Sequence, residues 1–512
     1  MTTSVNNLLR DYKNTNGNNV LLHEENRIMT HNELENHSNQ FANYLLKMGV
    51  RKNDRIVIMM RLGIDTIIAI MGIIKIGAIY VPIDRSQPNR IVEEIVSDTD
   101  PKLIICDEIY LERFEDIQST LIVYGKNLNF FKYLQEEDIP CGVNVLSKDL
   151  VYIAYTSGTT GKPKGVMISH ENVMTFVNSV TKNKFYHNKG AKSLCRTPIS
   201  FDPFLTELLP SMISGGQVYI QERDVSFRKF ISYISNNGVT NFGCGPSMLF
   251  LMADNLRFLE KYDLSSLKEI YIGYEKCPVS VIKKLQAVYP AVRFINGYGT
   301  TETFASSTFY EIPTLSNETD IPIGTAIEDE QLMILNEELR ESKVDEIGEL
   351  VIRGSSLFNG YWNNLEETKR KLIINPLFPE SNELVYLTGD LAKKNDKGQI
   401  FFVGRKDQQV KINGYRVELG EVQYIIERHE NIKECCIIYY DGEIICYYNT
   451  YSGVQGCESD FKDYCSQKLP KYKTPAKWIY VKNFPRNSNG KVKKNVLLYE
   501  VKYEKTNRSV GK

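Results

Sequence analysis

The feature that most constrains this chain is a repeated alternation of short β-branched runs with longer amphipathic stretches. RIVIMM (55–60) is followed by DTIIAIMGIIKIGA (65–78), then KLIIC (102–106) and TLIVY (120–124). A short apolar run suits a strand buried on both faces, and an amphipathic helix after it returns the chain to begin a parallel neighbour. The spacing therefore predicts βαβ units and mainly parallel sheets. The pattern resumes at KEIYIG (268–273), the helical VSVIKKLQAVYP and the strand-like VRFING. Near residue 400 the character changes. GQIFFVGRKDQQVKINGYRVELGEVQYIIERH (398–429) reads as a hairpin, a polar turn, two further strands and a helix, and strand and helix alternate again beyond it. The boundary falls at Gly404–Asp407, where charge and glycine interrupt two strand-like runs.

With 512 residues, several structural units are expected. The 62 basic and 63 acidic residues leave a formal net charge of −1, too little for a global field that would hold nucleic acid or an anionic membrane. The ten cysteines form no CxxC pair, and no histidine cluster has zinc-ligand spacing, so free thiols in a reducing, cytoplasmic setting are expected. The N-terminus is polar and lacks a signal-peptide layout. The most apolar stretch, 56–83, is broken by Arg61, Asp65 and Lys75, so it reads as buried core of a soluble protein rather than a membrane span.

The most informative segment is LVYIAYTSGTTGKPKGVMISHENV (150–173). An apolar strand runs into Thr156, Ser157, Gly158, Thr159, Thr160, Gly161, Lys162, Pro163, Lys164 and Gly165, and a second apolar strand follows. Glycines let backbone N–H groups turn inward, hydroxyls can donate to phosphate oxygens, and two lysines supply charge, all of which suits a polyphosphate. The Walker A pattern GxxxxGK[ST] does not occur. Alone, such a loop reads equally well as a polar turn.

TSGTTGKPKG resembles the phosphate-loop motif of the adenylate-forming superfamily of acyl-CoA ligases, luciferases and nonribosomal peptide synthetase adenylation domains. KIGAIYVPID (75–84), NGYGTTE (296–302), IGELVIRGSSLFNGYW (347–362), YLTGD (386–390), GRKDQQVKINGYRVELGEVQ (404–423), LPKYKTP (469–475) and NGK (489–491) resemble further motifs of that superfamily, in its order. The resemblance covers nearly the whole chain and comes closest to a freestanding amino-acid adenylation domain. It implies an α/β fold: a large N-terminal domain (1–404) of two α/β subdomains plus a β-rich subdomain, then a small mobile α+β C-terminal domain (405–512) with a hinge near Asp407.

The same resemblance implies ATP and Mg²⁺ as cofactors and assigns roles. Lys491 bridges the substrate carboxylate and the α-phosphate, Glu302 is the magnesium carboxylate, and Thr301 lies beside the α-phosphate. Thr156 to Lys162 and Lys164 hold phosphates, Asn296, Gly297, Tyr298, Gly299 and Thr300 frame the adenine, Asp390 binds the ribose, and Arg405 contacts ribose or phosphate. Read alone, Lys491 is a solvated surface charge and Asp390 a helix N-cap or turn residue. NGYGTTE departs from the family in having Thr300 for proline, and Tyr274 stands where Gly-Gly-Glu is common.

Phe201-Asp202 occupies the place of the FDxS-like motif whose aspartate binds a substrate α-ammonium, with Phe204 in place of the usual serine. Read alone, Asp202 is a turn residue after a strand. The pocket implied is Asp202, Pro203, Thr206, Gly243, Tyr271, Gly273, Gly297, Ala305 and Ser306 with Lys491. Its small, neutral lining suggests a large neutral amino acid, aromatic before aliphatic, although Tyr271 can fill part of the space. No carrier attachment site follows Lys491, so the acceptor is expected to be a separate phosphopantetheinylated carrier protein. A D-alanine:carrier-protein ligase, an acyl- or aryl-CoA ligase and a non-catalytic nucleotide-binding protein are the alternatives.

Overall fold

The computed structural model describes residues 4–6, 17–115, 117, 119–125, 129–156, 162–182, 190–273, 275–315, 318–406, 409–412, 414–452, 454–485, 492–494 and 496–498. Contacts divide it into two compact units. The first carries Met1–Arg85, Val96–Tyr155 and Lys164–Lys406, and the second is built on the chain from Asp407, with Ser86–Ile95.

The predicted βαβ runs form two sheets of the first unit. The six-stranded sheet is ordered Thr120–Tyr124, Leu103–Asp107, Arg55–Met59, Ile79–Pro82, Leu150–Thr156, Lys164–Ser169. Its first five strands pair in parallel. The nine-stranded sheet runs Thr325–Ala326, Thr308–Ile312, Arg293–Tyr298, Glu269–Ile272, Asn241–Cys244, Lys192–Cys195, Gln217–Ile220, Val20–Glu24, Arg27–Thr30. One hydrophobic core joins residues of both sheets to helices Ile64–Lys75, His170–Lys182 and Pro203–Ser214. A second core covers the other face of the larger sheet with helices Phe227–Asn237, Pro246–Asp254 and Val279–Val288. The β-rich part is an antiparallel sheet of Glu330–Leu335, Gly348–Gly354, Leu384–Lys394 and Leu372–Ile374, with Ile400–Arg405 paired to Leu384–Lys394.

All twelve residues of helix Ile64–Lys75 are buried, including the two charges that rule out a membrane span. Each has a partner. Arg27 donates to both Asp65 oxygens at 2.7 and 2.8 Å, and Lys75 Nζ meets Glu35 Oε2 at 2.7 Å and Asn39 Oδ1 at 2.6 Å. Burying a charge costs several kcal/mol unless pairing and hydrogen bonds offset it, which these contacts do. Among the described residues no helix is long and apolar enough to cross a membrane.

The second unit pairs Gln409–Ile412 with Tyr415–Glu418, then sets helices Leu419–Ile426 and Glu458–Ser466 against strands Ile432–Tyr440, Glu443–Thr450 and Lys477–Tyr480. One boundary detail needs correcting. Gly404 and Arg405 do not interrupt a strand: they end Ile400–Arg405 and pair with Leu391 and Asp390. Arg405, expected to open the small domain, belongs to the first unit.

Candidate active site

Strand Leu150–Thr156 enters the glycine-rich segment and strand Lys164–Ser169 leaves it. Ser157, Gly158, Thr159, Thr160 and Gly161 lie outside the described residues, and Thr156 is the half-buried end of the first strand. The two lysines differ. Lys162 is exposed. Lys164 donates to Glu367 Oε1 at 2.7 Å, both side chains being 12% exposed, and Glu367 also accepts from Arg370 at 2.6 and 2.7 Å. Burial pulls the Glu367 pKa up, but hydrogen bonds from Arg370 and Lys164 outweigh it and hold it at about 2. Lys164 thus anchors its strand to helix Leu365–Lys371.

Unequal roles follow for the two lysines. Lys162→Ala is expected to raise the KM for ATP about tenfold, the cost of one charged phosphate contact. Lys164→Ala should instead lower the melting temperature by about 3 °C, because it removes one of the two cationic partners of a mostly buried carboxylate and leaves only Arg370. Steady-state kinetics and thermal melts on both variants check this. A Lys164 variant with unchanged melting and a raised KM for ATP would place that lysine on the nucleotide.

The segment NGYW lies along the exit strand: Met167 N–H donates to Gly360 O at 3.1 Å, and Trp362 N–H to Gly165 O at 2.7 Å. This brings Tyr361 to Glu302. The Glu302 side chain is wholly buried, and Tyr361 OH donates to its Oε1 at 2.8 Å. Glu302 and the half-buried Thr301 sit on the 3₁₀ turn Thr301–Thr303, which Thr300 caps. Phe304 and Ala305 then adopt φ of 50° and 71°. Such left-handed non-glycine residues cost about 1–3 kcal/mol each and persist only where packing over-determines them. Here Phe304 is buried against Phe176, with ring centroids 5.6 Å apart. A Cβ on Gly299 would stand 2.3 Å from Ala305 O, so only glycine lets the chain double back.

Asp390 lies inside strand Leu384–Lys394, at neither a helix N-cap nor a turn. Tyr298 OH donates to Oδ2 at 2.5 Å and Arg405 Nη1 to Oδ1 at 2.6 Å. Burial first, then the Asp390 charge, pushes the Tyr298 phenol well above its ordinary range, so it stays protonated as a donor. Asn296 Nδ2 donates to Pro322 O at 2.8 Å.

Of the residues expected to line a substrate pocket, Gly243, Tyr271 and Gly297 lie on neighbouring strands of the nine-stranded sheet. Gly243 pairs with Tyr271, Tyr271 with Ile295, and Gly297 with Phe309. A Cβ on Gly273 would meet nothing within 4 Å, whereas one on Gly297 would touch Phe309 at 3.4 Å and Ser306 at 3.5 Å. Tyr271 is buried, its hydroxyl donating to Glu269 at 2.6 Å, so its ring is held in place. Half-buried Asp202 is the N-cap of helix Pro203–Ser214, with Pro203 in the first turn and no side-chain capping bond. Thr206 is buried, its hydroxyl donating to Pro203 O at 2.8 Å. The Asp202 charge is felt by Tyr80 and Tyr152, whose phenols are raised chiefly by burial and then by Asp202.

Sequence reading missed Glu207, Tyr361 and Glu367. Buried Glu207 accepts from the N–H groups of Arg196 and Thr197 at 2.9 and 3.0 Å and from the Thr197 hydroxyl at 2.8 Å, fastening the Asp202 helix to the strand before it. Tyr361 stands inside the quoted IGELVIRGSSLFNGYW segment and Glu207 five residues after Asp202, but no pattern reveals whom a side chain touches. Lys491, Asp407 and Tyr274 lie outside the described residues.

The Glu302 turn, the Asp390–Arg405 pair and the strands flanking the glycine-rich loop, up to Tyr155 and from Lys164, come from one α/β unit. The chain belongs to the AMP-binding enzyme family, whose model matches residues 9–362. It is 32% identical over 490 residues to tyrocidine synthase 1 of Brevibacillus parabrevis, covering 92% of this chain and 43% of that protein. The chain thus spans less than half the length of that curated relative. Its fold matches NpsA–ThdA, an artificially fused adenylation–PCP di-domain from Klebsiella oxytoca (TM-score 0.82, 22% identity, 93% of each chain). It also matches a double mutant of o-succinylbenzoate CoA synthetase (MenE) from Bacillus subtilis (TM-score 0.83, 20% identity, 95% of this chain and 97% of that one).

Proposed function

We propose that this chain activates an α-amino acid as its aminoacyl adenylate and passes the acyl group to the phosphopantetheine thiol of a carrier protein. The observation that carries the reading is Asp202, a half-buried carboxylate at the N-cap of helix Pro203–Ser214 that makes no capping bond to its own helix. A helix N-terminus favours the charged form of a carboxylate there, and a substrate ammonium needs such an anion. The substrate carboxylate attacks the α-phosphorus, the bond to the β-phosphate oxygen breaks, and pyrophosphate leaves. The carrier thiol then attacks the acyl carbon, its proton goes to solvent, and AMP leaves.

Asp390 and Arg405 orient the ribose, Asn296 and Tyr298 frame the adenine, Lys162 holds phosphate, and Lys491 places positive charge between the two reacting anions. The buried Glu302 carboxylate fits a hard divalent cation, and Mg²⁺ would supply charge to the polyphosphate there. Open space over Gly273 supports a large neutral side chain, aromatic before aliphatic, with Tyr271 as one wall.

The test is ATP–pyrophosphate exchange with each proteinogenic amino acid, D-alanine, and aryl and fatty acids. Exchange is expected with one large neutral amino acid. Exchange with D-alanine alone would make the chain a D-alanine:carrier-protein ligase, and exchange only with acids lacking an amino group would make it an acyl- or aryl-CoA ligase.

A further inference from the structure

Both ends of the glycine-rich segment are gripped from one point. Asp98 stands half-buried in the last turn of helix Asn89–Thr99. Its Oδ2 accepts from Tyr155 OH at 2.5 Å, and Tyr155 lies at the end of strand Leu150–Thr156, which enters the segment. The Asp98 carbonyl accepts from Trp362 Nε1 and from Asn363 Nδ2, both at 3.0 Å, and Asn363 Nδ2 also reaches Oδ1 at 3.2 Å. Trp362 in turn donates its N–H to Gly165 O, in strand Lys164–Ser169, which leaves the segment. A Cβ on Gly165 would come within 3.0 Å of Tyr155 Cζ and 3.2 Å of Trp362 Cβ, so glycine lets the phenol and the indole close on the exit strand. Arg55 supports the same point: its Nε donates to Thr99 O at 2.8 Å, and its guanidinium lies 5.7 Å from the Trp362 ring centroid.

We propose that Asp98 is a positioning residue for phosphate binding, its carboxylate and carbonyl fixing Tyr155 and Trp362 so that the strands entering and leaving the glycine-rich segment stand at a set separation. A glycine-rich stretch has much backbone freedom to lose when it closes on a ligand, and ends already held in place reduce that cost. The Asp98 charge would repel a polyphosphate, so its contribution comes through Tyr155 and Trp362 rather than through contact with the nucleotide. Burial first, and then the hydrogen bond to Asp98, raises the Tyr155 phenol well above its ordinary range, so it remains a donor at neutral pH. The inference rests on the reading of the segment as the phosphate loop.

The experiment measures binding of Mg·ATP and of AMP to the full chain by calorimetry, with thermal melts as a fold check. Asp98→Ala should weaken Mg·ATP about tenfold and AMP less than about threefold, because the β- and γ-phosphates that AMP lacks depend on the loop. Tyr155→Phe removes one hydroxyl and keeps the ring; it should weaken Mg·ATP about threefold, spare AMP, and answer the question if Asp98→Ala does not fold. The double variant should bind Mg·ATP no more weakly than Asp98→Ala, since both changes break the same bond. Wild-type Mg·ATP binding in either single variant, equal loss of Mg·ATP and AMP, or additive losses in the double variant overturns the proposal. Lys162→Ala tests the underlying reading separately: selective loss of Mg·ATP there supports the phosphate loop whatever Asp98 does, and wild-type binding there removes it.

Discussion

Asp202→Ala is expected to lower kcat/KM for the cognate amino acid by between about 10²- and 10³-fold while leaving ATP binding unchanged. A substrate ammonium that leaves water without a partner costs about 3–5 kcal/mol where burial is complete. Asp202 is half-buried, so the lower part of that range applies, and each 1.4 kcal/mol is tenfold. The phenols near the carboxylate stay neutral, and buried Glu207 is already engaged by Arg196 and Thr197. Asp202→Asn should lose nearly as much, because it keeps the shape and discards the charge. The decisive control is the same acid without its amino group, whose activation should be unchanged or improved in the alanine variant. Equal loss for the acid with and without the amino group would mean Asp202 supports the helix rather than the substrate.

The α/β architecture was legible because short β-branched runs and longer apolar stretches leave separate traces, as in RIVIMM and DTIIAIMGIIKIGA. Both became the elements expected, Arg55–Met59 and Ile64–Lys75. Gly299 was legible as a motif letter, but its cause, a close approach of Ala305, is a distance between backbones that no local pattern encodes. The partner of a long charged side chain was not legible either. Lys164 looks like its neighbour Lys162, yet one is sealed against Glu367 some two hundred residues away and the other faces water. Asp390 shows the converse: alone it reads as a turn or cap, while its pairing with Arg405 emerges only from the register of two antiparallel strands.

The second large effect is expected in the second unit. Lys473 is 6% exposed in its side chain and donates to both oxygens of Glu421, itself 3% exposed, at 3.0 and 2.8 Å. The two residues come from motifs far apart in sequence, LPKYKTP and VELGE, and join the 3₁₀ turn Lys471–Lys473 to helix Leu419–Ile426. Removing one partner leaves a buried charge, at about 3–5 kcal/mol, a large share of what holds a unit of this size together. Lys473→Ala should therefore lower the melting transition of this unit by more than about 10 °C and collapse hydrogen-exchange protection across 414–450. Protection in the parallel strands of the first unit should be unaffected. Burying an ion pair is itself costly, so the double variant Lys473→Met/Glu421→Leu should recover most of the stability that either single change loses. That recovery separates a charge left alone from a packing defect, since two apolar side chains restore the contact without the charges. If Lys473→Ala melts with wild type, the pair contributes little. If the double variant is as unstable as the single one, the pair supplies hydrogen-bonded geometry that apolar packing cannot replace. Because the proposed catalytic Lys491 belongs to the chain beyond Lys406, adenylation should fail at the temperature where this unit melts, before the first unit unfolds.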